Sequence, residues 1–130
     1  MAKVLIVAEH DGHALNPSTA KCVTCALELN PDSLAVLVLA APGAGIAVQA
    51  ARLAGVSHVL SIEDAANAAP LAAVQAPQVA AVAAGFSHVL GPSTTFGKDL
   101  MPRVAALLDV GQLSDIMHVQ PLYLRQELII

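Results

Sequence analysis

The sequence predicts an α/β domain built on a mainly parallel β-sheet. Short apolar runs alternate about five times with stretches that carry helical spacing. The runs are almost continuously apolar rather than alternating, as expected for strands buried on both faces. A hexapeptide also recurs, Gly55-Val56-Ser57-His58-Val59-Leu60 returning as Gly85-Phe86-Ser87-His88-Val89-Leu90. That offset is the length of one strand–helix unit, and two copies are too few for a solenoid.

The elements follow in order. Lys3–Ala8 (KVLIVA) is a buried strand, and Glu9–Asn16 is a polar loop containing Gly12. Pro17 suits a first helical turn, where its missing N–H costs nothing. Ser18–Asn30 has apolar residues at 20, 23, 26 and 27 and is stopped by Asn30-Pro31-Asp32. Leu34–Ala41 is a second buried strand, turned by Pro42-Gly43-Ala44-Gly45 into a helix over Ile46–Ala54, with Gly55 as its C′ residue. Each hexapeptide reads as cap, turn and short strand, opened by His58 or His88. Glu63–Ala84 is helical in composition, and Pro70 and Pro77 make it two shorter helices or one kinked helix. Gly91–Gly97 is a loop, Lys98–Asp109 a helix with Pro102 in its first turn, and Gln112–Val119 holds the last strand.

Composition excludes several classes. A chain of 130 residues that is 56% hydrophobic and 12% charged is one folded domain, not a disordered segment. Six Lys and Arg against ten acids, with 2% aromatics, leave neither a basic footprint nor a stacking platform for nucleic acid. Two cysteines do not make a secreted disulfide scaffold. Mean hydropathy is +0.68, but the uncharged stretch Ser33–Ala51 is broken at Pro42, Gly43 and Gly45. No run reaches the ~20 residues of a spanning helix, so no membrane insertion is expected. The N-terminus lacks a signal-peptide pattern, and the expected location is cytoplasmic.

In parallel sheets ligands sit beyond the carboxyl ends of the strands, where strand order reverses. Those ends are Glu9–Asn16, Ala41–Gly45, Ser61–Asp64 and Gly91–Lys98. Glu9-His10-Asp11-Gly12-His13 has metal-ligand chemistry, but two histidines on one loop without a further ligand group read as a solvated turn. No metal is assigned. Cys22 and Cys25 have CxxC spacing but lie within a helix rather than at its start, so they read as small buried hydrophobes. Gly91–Asp99 resembles a phosphate loop, yet has one residue too many between glycines and Asp99 after the lysine. Hydroxyls and free N–H groups at a helix start still make Asp11, Gly12, Thr94, Thr95, Gly97 and Lys98 a weak anion or nucleotide crevice. The plainer reading is that Thr94 or Thr95 caps the helix. No nucleophile accompanies His58 or His88, and no catalytic residue is assigned.

Three segments, VLIVAEHDGHALNPST, AARLAGVSHVL and FSHVLGPSTTFGKDLMPRVAALLDVGQLSDI, in that order, resemble the electron transfer flavoprotein alpha subunit. The resemblance runs from Lys3 to Ile116 and is most specific over TTFGKDLMPRVAALLD. It implies the N-terminal domain of that subunit, an adenine-nucleotide-hydrolase-like, Rossmann-like three-layer sandwich whose five strands run in the order 3-2-1-4-5. It implies a structural and docking role beside a beta subunit, in a heterodimer passing electrons from dehydrogenases toward the respiratory quinone pool. FAD then belongs to a C-terminal alpha-subunit domain not contained in this sequence, AMP to the beta subunit, and no cofactor to this chain. The alternative is a stand-alone module that binds an adenine nucleotide. On this reading 1–120 is the family domain and 121–130 a divergent tail. Leu122, Tyr123, Leu124, Leu128, Ile129 and Ile130 are too apolar to stay solvated. They are expected to pack on the domain, add a strand to a sheet edge, or drive self-association.

Overall fold

The computed structural model describes residues 2–114, 116, 128 and 129. Strands β1 (Lys3–Val7), β2 (Ser33–Ala40), β3 (His58–Glu63) and β4 (His88–Leu90) form a parallel body, and β5 (Leu128–Ile129) adds two residues at its edge. Helices α1 (Ser18–Leu27), α2 (Ile46–Ala51), α3 (Ala72–Ala83) and α4 (Thr95–Leu108) connect them, with a 3-10 turn at Ala65–Ala68. The strand order is β3-β2-β1-β4-β5, every pairing is parallel, and the expected three-layer α/β arrangement holds.

Burial explains the layers. Val4, Leu5 and Ile6 at the centre of the sheet are 0% exposed. Their side chains alternate between faces, as strand geometry requires. Leu5 and Val7 join Leu37, Val79, Leu100 and Val104 beneath α3 and α4. Val4 and Ile6 join Val36, Val38, Val23 and Ile46 beneath α1 and α2. The alanines of α3 let it approach closely: Ala72, Ala76 and Ala83 are all buried against the first of these clusters.

The repeated hexapeptide has a mechanical role. Ser57 donates its N–H to the Leu34 carbonyl at 2.8 Å and accepts the Leu34 N–H on Oγ at 3.2 Å. Ser87 does the same to Lys3, at 2.8 and 2.9 Å. Each serine thus clamps the entry of the neighbouring strand and sets its register before the regular ladder begins.

Several boundaries differ from expectation, α1 for one ending at Leu27 rather than Asn30. Thr94 accepts the Gly97 N–H on its side chain, so α4 starts at Thr95 instead of Lys98, and Pro102 lies inside the helix. Of the two alternatives over Glu63–Ala84 the pair of shorter helices holds, a 3-10 turn and α3 broken at Pro70, where Ala69 is forced extended, but α3 runs through Pro77 without a second break. Helix α2 ends at Ala51 rather than Ala54. The strand beside β4 is Leu128–Ile129, paired with His88 and Val89, so part of the tail adds a strand to the sheet edge, one of its expected placements, in the position expected for a segment of Gln112–Val119. Residues 112–114 and 116 form no named strand, Leu113 being exposed, and 117–119 lie outside the described residues, as do 121–127 and 130.

The clamps predict unequal costs. Ser57→Ala strands a buried Leu34 N–H, whereas Ser87→Ala frees a Lys3 N–H that water reaches. Urea unfolding should therefore show a loss of about 1–2 kcal/mol for the first and under about 1 kcal/mol for the second. Equal losses would contradict the clamp geometry.

Candidate functional site

Strand order reverses beside β1, between β2 and β4, and Glu9 emerges there two residues past the strand. Its half-buried carboxylate accepts the Ser18 hydroxyl at 3.0 Å and the Thr94 hydroxyl at 2.9 Å, both on Oε1. Ser18 is the first residue of α1 and Thr94 the N-cap of α4. The backbone of Glu9 is held as well: its N–H donates to the Oγ1 of the buried Thr19 at 3.2 Å, and its carbonyl accepts from the Asn16 N–H at 2.8 Å. Helix N-termini favour negative charge through their free N–H groups and dipole. Here the chain supplies that charge itself, and two hydroxyls that a ligand would use are already engaged.

The loop after Glu9 is equally committed. The Gly12 N–H donates to His10 Nδ1 at 3.0 Å, so Nδ1 is an acceptor and the ring carries its proton on Nε2. Nε2 donates in turn to the Leu39 carbonyl at 2.7 Å, tying the loop to the end of β2. Gly12 sits at φ +93°, a conformation that disfavours any side chain. Asp11 Oδ1 accepts the N–H groups of His13 and Ala14 at 2.8 and 2.7 Å, and these bonds hold its carboxyl below the usual aspartate range. Gln49 of α2 completes the loop, accepting from the Leu15 N–H and donating to the His13 carbonyl. The turn is solvent-exposed at Asp11, His13 and Ala14, as expected, and is held in shape by these hydrogen bonds. Among the described residues no group of three or more His, Cys, Asp or Glu could hold a metal ion.

Two cavities flank this junction and divide the predicted crevice. One, of about 300 Å³, is lined by Ser18, Lys21, Cys22, Thr94, Gly97 and Lys98 among others. The other, of about 100 Å³, is lined by His10, Asp11, Gly12, Asn67, Gln75 and Phe96 among others. Thr94, Gly97 and Lys98 therefore come together, Asp11 and Gly12 face a different space, and Thr95 is exposed and lines neither. Gly97 admits no side chain, because a Cβ there would overlap the Pro92 carbonyl.

The larger cavity is at the bottom of the ~300–1,000 Å³ range of ligand sites, and among the described residues no aromatic side chain lines it. Glu9 bonds the hydroxyls at both helix starts, where a pyrophosphate would otherwise be received. His58 is exposed. His88 is half-buried with Nδ1 2.8 Å from the Ser87 hydroxyl, and burial pushes its pKa down. Ser87 Oγ is already engaged with the Lys3 backbone, so this neighbouring pair makes a strand clamp, not a nucleophile and its base.

Cys22 and Cys25 are free thiols lining the larger cavity from α1. Burial, followed by the neighbouring Cys25 and Glu9, pushes Cys22 up from 9.0 to about 12, and burial also raises Cys25. A neutral thiol in the folded state gives stability that is present below pH 9.0 and disappears as pH rises toward about 12. The urea midpoint should thus fall more steeply above pH 9.0 for the native sequence than for Cys22→Ala. Parallel curves for the two proteins would contradict a buried neutral thiol.

Comparison with known proteins bears on the whole of this architecture. The profile described as "Electron transfer flavoprotein domain" matches residues 4–121. The chain is similar to the electron transfer flavoprotein subunit alpha of Pseudomonas aeruginosa, with 44% identity over 116 residues covering 89% of this chain and 37% of that protein. Similarity to the Paracoccus denitrificans subunit alpha is 42% over 117 residues, again 89% of this chain and 37% of the relative. The mitochondrial subunit alpha of Dictyostelium discoideum is 32% identical over 123 residues, 89% of this chain and 35% of its own length. The chain thus spans little more than a third of the relatives it matches.

Proposed function

Because the chain belongs to the electron transfer flavoprotein family, as an N-terminal domain of its alpha subunit, we propose that it acts as a structural and docking domain of a heterodimeric electron carrier. Its partner on this reading is the beta subunit. The assembled protein carries electrons from dehydrogenases toward the quinone pool, with FAD bound outside this chain. The domain itself is not a catalyst. The observation that carries the proposal is the family match over 4–121, which runs from β1 through α4. The Glu9 junction supports it, since a carboxylate already bonded to the hydroxyls at both helix starts suits an internal joint better than the capture of an anion. Among the described residues no helix is long and apolar enough to cross a membrane. We read 121–130 as a tail outside the family domain, in keeping with a match that ends at 121.

A second reading, a stand-alone adenine-nucleotide module, draws on the cavity of about 300 Å³ beside the reversal point and on Lys21 and Lys98 in its lining. The Glu9 carboxylate opposes a phosphate there. Calorimetry with AMP should therefore give an affinity no better than about 1 mM, roughly −4 kcal/mol. Added FAD should keep its free-solution fluorescence, and the purified chain should be colourless. Micromolar AMP binding would put the nucleotide module first, and stoichiometric flavin would overturn both readings.

A further inference from the structure

The cavity of about 100 Å³ beside β1 and β2 contains a group that the fold leaves unanswered. Gln75, in the first half of α3, is 3% exposed, lines this cavity, and its Oε1 has no hydrogen-bond partner. An unpaired buried acceptor is destabilising and rare in folded proteins.

Asn67 and His10, which also line the cavity, are already engaged. Asn67 exchanges two hydrogen bonds with Gln78, at 2.9 and 2.8 Å. His10 uses both ring nitrogens, one of them on the Gly12 N–H. Asp11 stands at the solvent end, its Oδ1 fixed by two backbone N–H groups, and among the described residues no Lys or Arg lines the space. The half-buried ring of Phe96 forms part of the wall. The unmet demand is thus for a hydrogen-bond donor, in a space that holds one carboxylate and one aromatic ring.

We propose that this cavity is a binding site for a guanidinium group, which donates to Gln75 Oε1 at the buried end and faces the Asp11 carboxylate at the open end. A guanidinium is planar, carries five N–H donors, and tolerates an aromatic neighbour better than a compact ammonium does. The site is opposite in sign to the weak anion crevice expected for Asp11 and Gly12. Its chemistry does not depend on the subunit with which the chain pairs.

Amide NMR of the folded chain tests this, with methylguanidinium chloride titrated against tetramethylammonium chloride at equal ionic strength. Methylguanidinium should give saturable shifts at Gly12, His10 and Gln75 with Kd on the order of 1–10 mM, and tetramethylammonium none. Gln75→Leu, which removes the acceptor and keeps the bulk, should weaken binding about tenfold, the loss of one charge-assisted hydrogen bond. Asp11→Asn keeps the turn acceptor and should weaken binding several-fold. It lies at an exposed position and serves if the Leu variant fails to fold. The tripeptide Gly-Arg-Gly separates the two sources of the group. Binding tenfold tighter than methylguanidinium indicates an arginine of a polypeptide, and equal binding a free small cation. Absence of saturable shifts, equal shifts with tetramethylammonium, or unchanged affinity in both variants would overturn the site and leave a cavity filled by water alone.

Discussion

Everything in this domain depends on the burial of one strand from both sides. Val4 to Val7 have no access to solvent beyond 1%, so the chain must lay helices over both faces of the sheet. Parallel pairing on each side of β1, to β2 and to β4, puts the reversal of strand order at its carboxyl end. That end is where the backbone leaves the core and where the N-termini of α1 and α4 converge. A single side chain there therefore meets two helices at once.

Glu9 is that side chain, and its placement decides what the edge can do. In many α/β folds the reversal point receives a ligand's phosphate on free helix N–H groups. In this chain a carboxylate spans the gap and takes the hydroxyls of Ser18 and Thr94. The negative charge is favourable beside two helix starts and unfavourable for an incoming anion. The fold keeps the geography of a ligand site and uses it as an internal joint. Polar chemistry that still lacks a partner lies one cavity away, at Gln75.

Much of the fold was legible in the sequence because it depends on local chemistry. Continuous apolar runs marked β1 and β2, Pro17 marked the start of α1, and the repeated hexapeptide marked the entries to β3 and β4. The repeat's serines were visible, but their pairing with Leu34 and Lys3 was not, since those partners come from other strands. The same limit applied to the site. Glu9 reaches across 85 residues to Thr94 and His10 across 29 to Leu39, and no spacing rule relates such pairs. A sharper signal existed for Glu9: an acid directly after the first buried strand, with hydroxyl residues at both following helix starts. Gln75 was hidden for a different reason, since an isolated amide in an alanine-rich helix reads as a surface position. Composition offered two partners for β4, a segment of Gln112–Val119 and the apolar tail, and it is Leu128–Ile129 of the tail that pairs with it.

Sedimentation velocity of this chain mixed with an electron transfer flavoprotein beta subunit tests the docking role most directly. A single flavin-free boundary, faster than that of either component and saturating at equal molar amounts, is the expected result. Two independent boundaries at every mixing ratio, unchanged by FAD or AMP, would contradict it.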